Sequence, residues 1–202
     1  MAAPESVTIN DLTGKWVINK SLSGDTDAVL ALQGMGWLMR QTLKLATVTV
    51  GLRQYADSAG VTHVDAAQTL TGGIPGTTER RVLDWRWREH ADHIFGELRG
   101  RSRFCDLGRD LGDGAAGPEE DREFLRAGWG REMRAEGGKA IESFVENEKA
   151  GWTGWQVWGF EDDVKANGED GPGERRYVRH VVVRKGEEAV RIKMIYDYIG
   201  RE

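Results

Sequence analysis

Apolar and polar residues alternate with a period of two along most of the chain. The pattern runs from GKWVINKS (14–21) through TVTVGLRQY (47–55), VLDWRWREH (82–90), HIFGELRGRSRF (93–104), AIESFVENE (140–148), WTGWQVWGF (152–160) and RRYVRHVVVRKG (175–186) to EEAVRIKMIYDYIG (187–200). Successive side chains on a strand point to opposite faces, so this alternation predicts half-buried antiparallel strands. Turn chemistry divides them: YADSAGVTH (55–63) predicts a hairpin around Asp57 to Gly60, TGGIPGTT (71–78) a Gly/Pro-rich corner, and Lys185-Gly186-Glu187 a tight final turn.

The period changes early. From Ala28 the spacing turns helical behind the N-caps offered by Asp25 and Thr26, with Asp27 adding negative charge near the helix start. Gly34 and Gly36 divide the stretch, because glycine costs about 1 kcal/mol inside a helix and permits left-handed backbone. A second short helix then runs from Trp37 to Ala46. Together these elements predict a single all-β domain over residues 1–202, a ten-stranded up-and-down antiparallel barrel with a two-helix lid between the first two strands. Closure into a barrel removes exposed strand edges. Residues 106–128 and 161–174, rich in Gly, Asp and Glu, are expected to be solvated loops outside the core, the first with one short helix after Pro118.

Composition narrows the partners. At 202 residues the chain can bury one sizeable core. With 28 Lys plus Arg against 33 Asp plus Glu, the net charge of -5 supplies no attraction for nucleic acid or an anionic membrane. No apolar run approaches the ~18 residues of a bilayer span, and MAAPESVTIN has neither a basic nor an apolar leader region, so a cytoplasmic protein without membrane insertion is expected. The one cysteine, Cys105, excludes an internal disulfide, and with four scattered His it offers no zinc framework; no metal and no other cofactor is expected. Eight Trp form a large supply of rigid aromatic surface, to be buried in a core or displayed to a ligand.

Gly14-x-Trp16 on the first strand and Gly34-Met35-Gly36-Trp37-x-x-Arg40 on the lid carry a resemblance. Over residues 14–50 the chain resembles the intracellular fatty-acid-binding proteins, whose G-x-W start is shared among calycins and whose lid reads G-V-G-F-x-x-R. The resemblance implies a helix-turn-helix covering the portal of a ten-stranded barrel. Such a barrel encloses more space than its own side chains fill, which leaves a cavity for a hydrophobic small molecule. Carboxylate-binding members close the final strand with Arg-x-Tyr, whereas this chain reads Tyr196-Asp197-Tyr198, and Gln156 and Trp158 stand where a second family arginine falls. Family parity points Ile192, Met194, Tyr196 and Tyr198 inward. Alternation on the preceding strand places Tyr177, Arg179 and Val181 inside, opposite Arg176, His180 and Arg184. The interior so expected is aromatic and, apart from Arg179, neutral. A fatty-acid carboxylate buried there would lack the bidentate partner that offsets its desolvation.

The expected ligand-binding residues are therefore Trp37 and Met39 on the lid, Trp85 and Trp87 sharing one strand face, and Gln156, Trp158, Tyr177, Arg179, Met194, Tyr196 and Tyr198. Trp16 is expected to be structural, and at least one of Trp152, Trp155 and Trp158 must leave the inner face. His63 with Asp65, Glu142 with Glu146, and the stripe Arg88, Arg99, Arg101 and Arg103 read as outer polar surface, and Cys105 lacks the neighbours that would make it a nucleophile. Two functions fit this interior. One is a carrier that binds an aromatic or polycyclic metabolite; the other is a cofactor-independent cyclase or isomerase that folds a reactive polyketide- or terpenoid-type chain in the same cavity.

Overall fold

The computed structural model describes residues 1–92, 94–112, 117–165 and 171–201; residues 113–116 and 166–170 of the two acidic stretches, His93 and Glu202 lie outside them. Ten strands form one antiparallel sheet: β1 (Gly14–Ile18), β2 (Val48–Ala56), β3 (Thr62–Leu70), β4 (Ile74–Val82), β5 (Arg88–Asp92), β6 (Gly96–Cys105), β7 (Ala140–Asn147), β8 (Trp152–Val164), β9 (Glu174–Lys185) and β10 (Glu188–Gly200). Their order, β4-β3-β2-β1-β10-β9-β8-β7-β6-β5, pairs the first strand with the last. It is the order of an up-and-down barrel opened between β4 and β5. The chain leaving β4 bridges that seam by crossing to β6, where Leu83 pairs with Ser102 and the Trp85 N–H donates to the Ser102 carbonyl at 2.9 Å.

The lid lies where expected, as α1 (Thr26–Leu32) and α2 (Trp37–Leu45). Asp25 accepts from the Asp27 N–H as the α1 cap, and Lys20 donates to the Leu43 and Lys44 carbonyls at the α2 C-terminus, satisfying groups that lack helical partners. Two stretches differ from the sequence reading. The Gly/Pro corner is confined to a single 3₁₀ turn at Thr71–Gly73, with Gly72 at φ 80°, and IPGTTERRV forms β4. Pro75 is tolerated there because β4 is an edge strand. VLDWRWREH is not one strand either, for Trp85 adopts a left-handed φ of 59° and β5 begins only at Arg88.

Aromatic rings fill the lower barrel. Trp16, Trp158, Phe160, Tyr177 and Tyr196 are all buried, with Trp16 centred 5.0 Å from Tyr177 and 4.9 Å from Tyr198. Residues Val7, Ile9 and Leu12 close the base beneath them, and Trp16 Nε1 donates to the Leu12 carbonyl at 3.1 Å, the structural role expected of it. At the other end α1 roofs part of the wall, packing Val29 on Val181, Val183 and Ile192. No helix among the described residues is long and apolar enough to cross a membrane.

The outer wall corrects the reading of residues 106–128 as solvated loop. This stretch carries α3 (Glu119–Arg126) and leads to α4 (Arg131–Arg134). Leu107, Leu111, Leu125, Trp129 and Met133 bury against Phe144, Trp155, Val157, Val178, Val182 and Ile195, the outward residues of β7 to β10, and make a second core layer. Its acidic character concealed this because the carboxylates are paired on folding. Asp121 accepts from Arg184 Nη2 at 2.9 Å and Arg191 Nε at 2.7 Å, and Glu161 meets His180 Nε2 at 2.6 Å and Lys193 Nζ at 2.7 Å. The described part of residues 161–174 is likewise partly sheet, since β8 runs to Val164 and β9 starts at Glu174.

Two stability predictions arise here. At Gly159 a Cβ would overlap the Met133 sulfur and methyl group and press on Trp129. Gly159→Ala is expected to destabilise by about 1–3 kcal/mol through overpacking, and by clearly less in a Met133→Ala background, as measured by urea denaturation. Burial pushes the Glu161 carboxyl up, but hydrogen bonds from His180 and Lys193 more than reverse this and leave its pKa below the ordinary value. Such a group stabilises the fold above its unfolded pKa of about 4.3 and loses that contribution as pH falls through the folded pKa. The Tm difference between wild type and Glu161→Gln should thus be widest near neutrality and shrink in acid below pH ~4. A constant difference across that range would contradict it.

Candidate active site

Period-two alternation on four strands delivers a charged layer to the middle of the inner wall. It consists of Glu79 and Arg81 from β4, Ser143 from β7, Gln156 and Trp158 from β8, and Tyr177 and Arg179 from β9, with Met194 and Tyr196 of β10 beside it. Trp158 forms its floor. The indole is fully buried and donates from Nε1 to Gln156 Oε1 at 2.9 Å. The Arg179 guanidinium lies 3.8 Å from the Trp158 ring centroid, and that of Arg81 lies 5.1 Å from it. Arg179 Nε donates to the Tyr177 hydroxyl at 2.8 Å; Arg81 donates from Nη1 to Ser143 Oγ at 2.6 Å and from Nη2 to Glu79 Oε2 at 2.5 Å. Arg179 Nη2 and Arg81 Nε are buried and make no hydrogen bond, and among the described residues Arg179 donates only from Nε.

Electrostatics keeps this layer charged. Burial pushes the Glu79 carboxyl up, but Arg81 and then Arg179 more than reverse that and leave it below its ordinary pKa. Burial also opposes the Arg179 charge, and the oxygens of Tyr177, Tyr196 and Glu79 outweigh it, so the guanidinium is held above its ordinary value. The Tyr177 and Tyr196 hydroxyls are pushed up by burial and stay neutral. The site meets solvent at Glu79, whose side chain is 33% exposed.

Of the residues expected from sequence, Gln156, Trp158, Tyr177, Arg179, Met194 and Tyr196 come together here. Tyr198 points inward but one level lower, edge-on to Trp16. Trp37 and Met39 stand exposed on α2. Trp85 and Trp87 do share a face, but it is the outer one. The Arg101 guanidinium lies over both rings, 4.2 and 4.5 Å from their centroids, and Trp87 packs edge-on against the outward-facing Phe144. The left-handed turn at Trp85 ends the alternation that would have pointed them inside. Trp155 is the tryptophan of β8 that leaves the inner face, donating from Nε1 to Glu142 at 2.9 Å. His63 pairs with Asp57 and stacks on Tyr55 on the outside, and burial pushes the Cys105 thiol up, away from nucleophile chemistry.

Sequence reasoning missed Glu79 and Arg81, and with them the charge of the interior. The expected neutral cavity is corrected: the second guanidinium comes from β4, not β8. Its signal was present in T-E-R-R-V, where residues 79 and 81 share a face, but it was hidden behind the presumed Gly/Pro corner. A surface groove of about 280 Å³ lined by Lys15, Thr47, Thr49 and the Thr71–Gly73 turn has neither aromatic floor nor paired guanidiniums, and it is not the site.

No family model matches the chain. Among solved structures, REP1-NXSQ fatty acid transporter superposes with a TM-score of 0.50 at 14% identity, covering 95% of this chain and 98% of that one. Human cRBP IV gives 0.51 at 9% identity, covering 94% and 98%, and Echinococcus granulosus fatty-acid-binding protein 1 gives 0.50 at 11%, covering 93% and 96%. At such identities the likeness is one of fold, and the fold is that of the fatty-acid-binding-protein class of calycin barrels. The sequence relatives are more specific. The probable pericyclase scpY of Mollisia scopiformis is 34% identical over 200 residues, 98% of this chain and 95% of that protein. Pericyclase pydY of Acremonium sp is 28% identical over 201 residues, 99% of this chain and 98% of that protein. This chain belongs to the pericyclase family of scpY.

Proposed function

We propose that this protein is a cofactor-independent pericyclase that holds a conjugated, oxygenated chain inside the barrel while it closes into a ring. The observation that carries this reading is the Trp158 layer, a flat aromatic surface under two guanidiniums with unused donors, in a chain similar over nearly its whole length to proteins named pericyclases. In a cycloaddition within one molecule two π bonds become two σ bonds, and no atom or proton enters or leaves. The protein's task is then selection of one conformation, since freezing a flexible chain into its reactive geometry removes much of the entropic part of the barrier. The rings of Trp158 and Tyr196 take the polyene face by dispersion and stacking. Arg179 Nη2 and Arg81 Nε take oxygen atoms at one end and fix its direction.

The fold likeness to lipid-binding barrels favours a second reading, passive carriage of the same kind of molecule. Incubation with linear polyene ketones separates the two. A ring-closed product is an isomer of unchanged mass, so it is followed by loss of conjugated absorbance and by chromatography. New isomer formed in proportion to enzyme supports the pericyclase. Saturable quenching of tryptophan fluorescence with the linear compound recovered intact supports the carrier.

A further inference from the structure

We infer that the outward face of α2 pairs with the same face of a second copy of this chain, joining two barrels lid to lid about a two-fold axis that passes between Gln41 and Thr42. The first observation is an apolar surplus. None of the nine residues of α2 is buried, and Trp37, Leu38, Met39 and Leu45 all stand exposed. At helical spacing Leu38, Thr42 and Leu45 form one stripe, at i, i+4 and i+7. Leu38 is 73% exposed and Leu45 88%, so this stripe points away from the barrel. The exposed Ile74 extends the patch, because the turn before it is tied to the end of α2, where the Thr47 N–H donates to Thr71 Oγ1 at 2.7 Å. Polar groups hold α2 down: Lys20 caps its C-terminal carbonyls, and Arg40 bonds Asp27 and the Met35 carbonyl.

Area and charge select the occupant. Trp37, Leu38, Met39, Leu45 and Ile74 together expose roughly 500 Å² of side chain, as large as the biggest apolar patch of an ordinary monomer. Two such patches face to face remove roughly 1,000 Å² from water, the area that a specific interface has to clear. A lipid surface is the poorer match. It would be met by free basic groups beside the apolar stripe, whereas Lys20 and Arg40 are turned onto carbonyls and Asp27, and the chain carries a net charge of -5. The stripe itself is uncharged and self-complementary. In an antiparallel pair Leu38 meets Leu45 of the other copy at both ends, and the two Lys44 ammonium groups stay apart. At the centre Thr42 Oγ1 donates back to the Leu38 carbonyl at 3.1 Å and keeps its lone pairs to accept from Gln41 of the other copy.

The test is analytical ultracentrifugation of the full chain over a concentration series centred on a dimer Kd on the order of 10 μM. Leu38→Lys and Leu45→Glu, both at exposed positions, are each expected to weaken the dimer at least about tenfold, while Ile199→Glu, exposed on β10, leaves it unchanged. Mixing the first two variants is the sharper measurement. A mixed pair keeps one Leu38 to Leu45 contact and sets the two introduced charges against each other at the other end, so the mixture should dimerise more tightly than either variant alone. Thr42→Cys, beside the axis, should couple to its own counterpart through a short bis-maleimide, since the native Cys105 is buried. Should either charged variant fail to fold, this cross-link reads the same face. Vesicles of phosphatidylcholine and phosphatidylserine are sedimented alongside. A chain that stays monomeric throughout the series overturns the inference, and binding of that monomer to vesicles would assign the face to lipid instead. A dimer left intact by Leu38→Lys and Leu45→Glu, or a mixture that shows no recovery, overturns it equally.

Discussion

Arg179→Gln is expected to slow ring closure of a polyene substrate by about 10²-fold while leaving the melting temperature unchanged or raised. The two effects have one origin. Arg179 is 7% exposed, and its Nη2 has no hydrogen-bond partner. It is a buried charge held by the Tyr177 hydroxyl, the aromatic faces around it and the field of the Glu79 carboxylate. Glutamine keeps a donor for Tyr177 and removes the charge, a change that is often neutral or stabilising where the charge is incompletely compensated. With substrate present the loss is different, because an unfixed end lets the chain sample unreactive folds, and displacement by about 1 Å is enough for a hundredfold loss of rate. Steady-state kinetics beside a thermal melt checks both parts. A variant that melts far below wild type would show that Arg179 supports the fold, and the rate loss would then carry no information about the site.

Glu142→Ala is expected to cost about 3–5 kcal/mol of stability, a large share of the roughly 5–15 kcal/mol typical of a folded domain. The Glu142 side chain is fully buried on the outward face of β7. It accepts from Arg103 Nε at 2.9 Å, Trp155 Nε1 at 2.9 Å and the Gly112 N–H at 3.0 Å, tying the sheet to the chain folded over it. Alanine leaves a guanidinium and two N–H groups around a void, whereas Glu142→Gln retains the volume and one acceptor and should lose less. The apolar pair Arg103→Met with Glu142→Leu should recover part of the deficit, since the charges are then removed together. Urea denaturation of the four proteins at a common m-value measures this. A loss below about 1 kcal/mol in Glu142→Ala would mean that residues 106–112 hold to the wall without it.

The barrel, its strand number and the lid were legible because period-two alternation and the Gly34/Gly36 break are local signals. So was the inward parity of Trp158, Tyr177, Arg179 and Tyr196, which follows from counting along a strand. What escaped depended on contacts distant in sequence. Asp121 looks solvated until Arg184 and Arg191 reach it from β9 and β10, and Glu142 looks like surface until residues 106–112 fold over it. Trp85 and Trp87 follow the alternation of a strand that Trp85's left-handed backbone interrupts. Arg81 was hidden for a related reason: Pro75 and Gly76 before it belong to an edge strand, where they do not prevent pairing.

The second apolar layer lies along β7 to β10 and leaves β2 and β3 with one buried face and β4 with only half-buried residues, so the two halves of the wall are expected to differ in stiffness. Trp158, Tyr177 and Arg179 stand on the half held from both sides; Arg81 and Glu79 stand on the thin half, at an edge. Amide protons of β4 should accordingly exchange with deuterium long before those of β8 and β9. On the proposed function, the expected mechanics are those of a vice, with β8 and β9 the fixed jaw and β4 the compliant one.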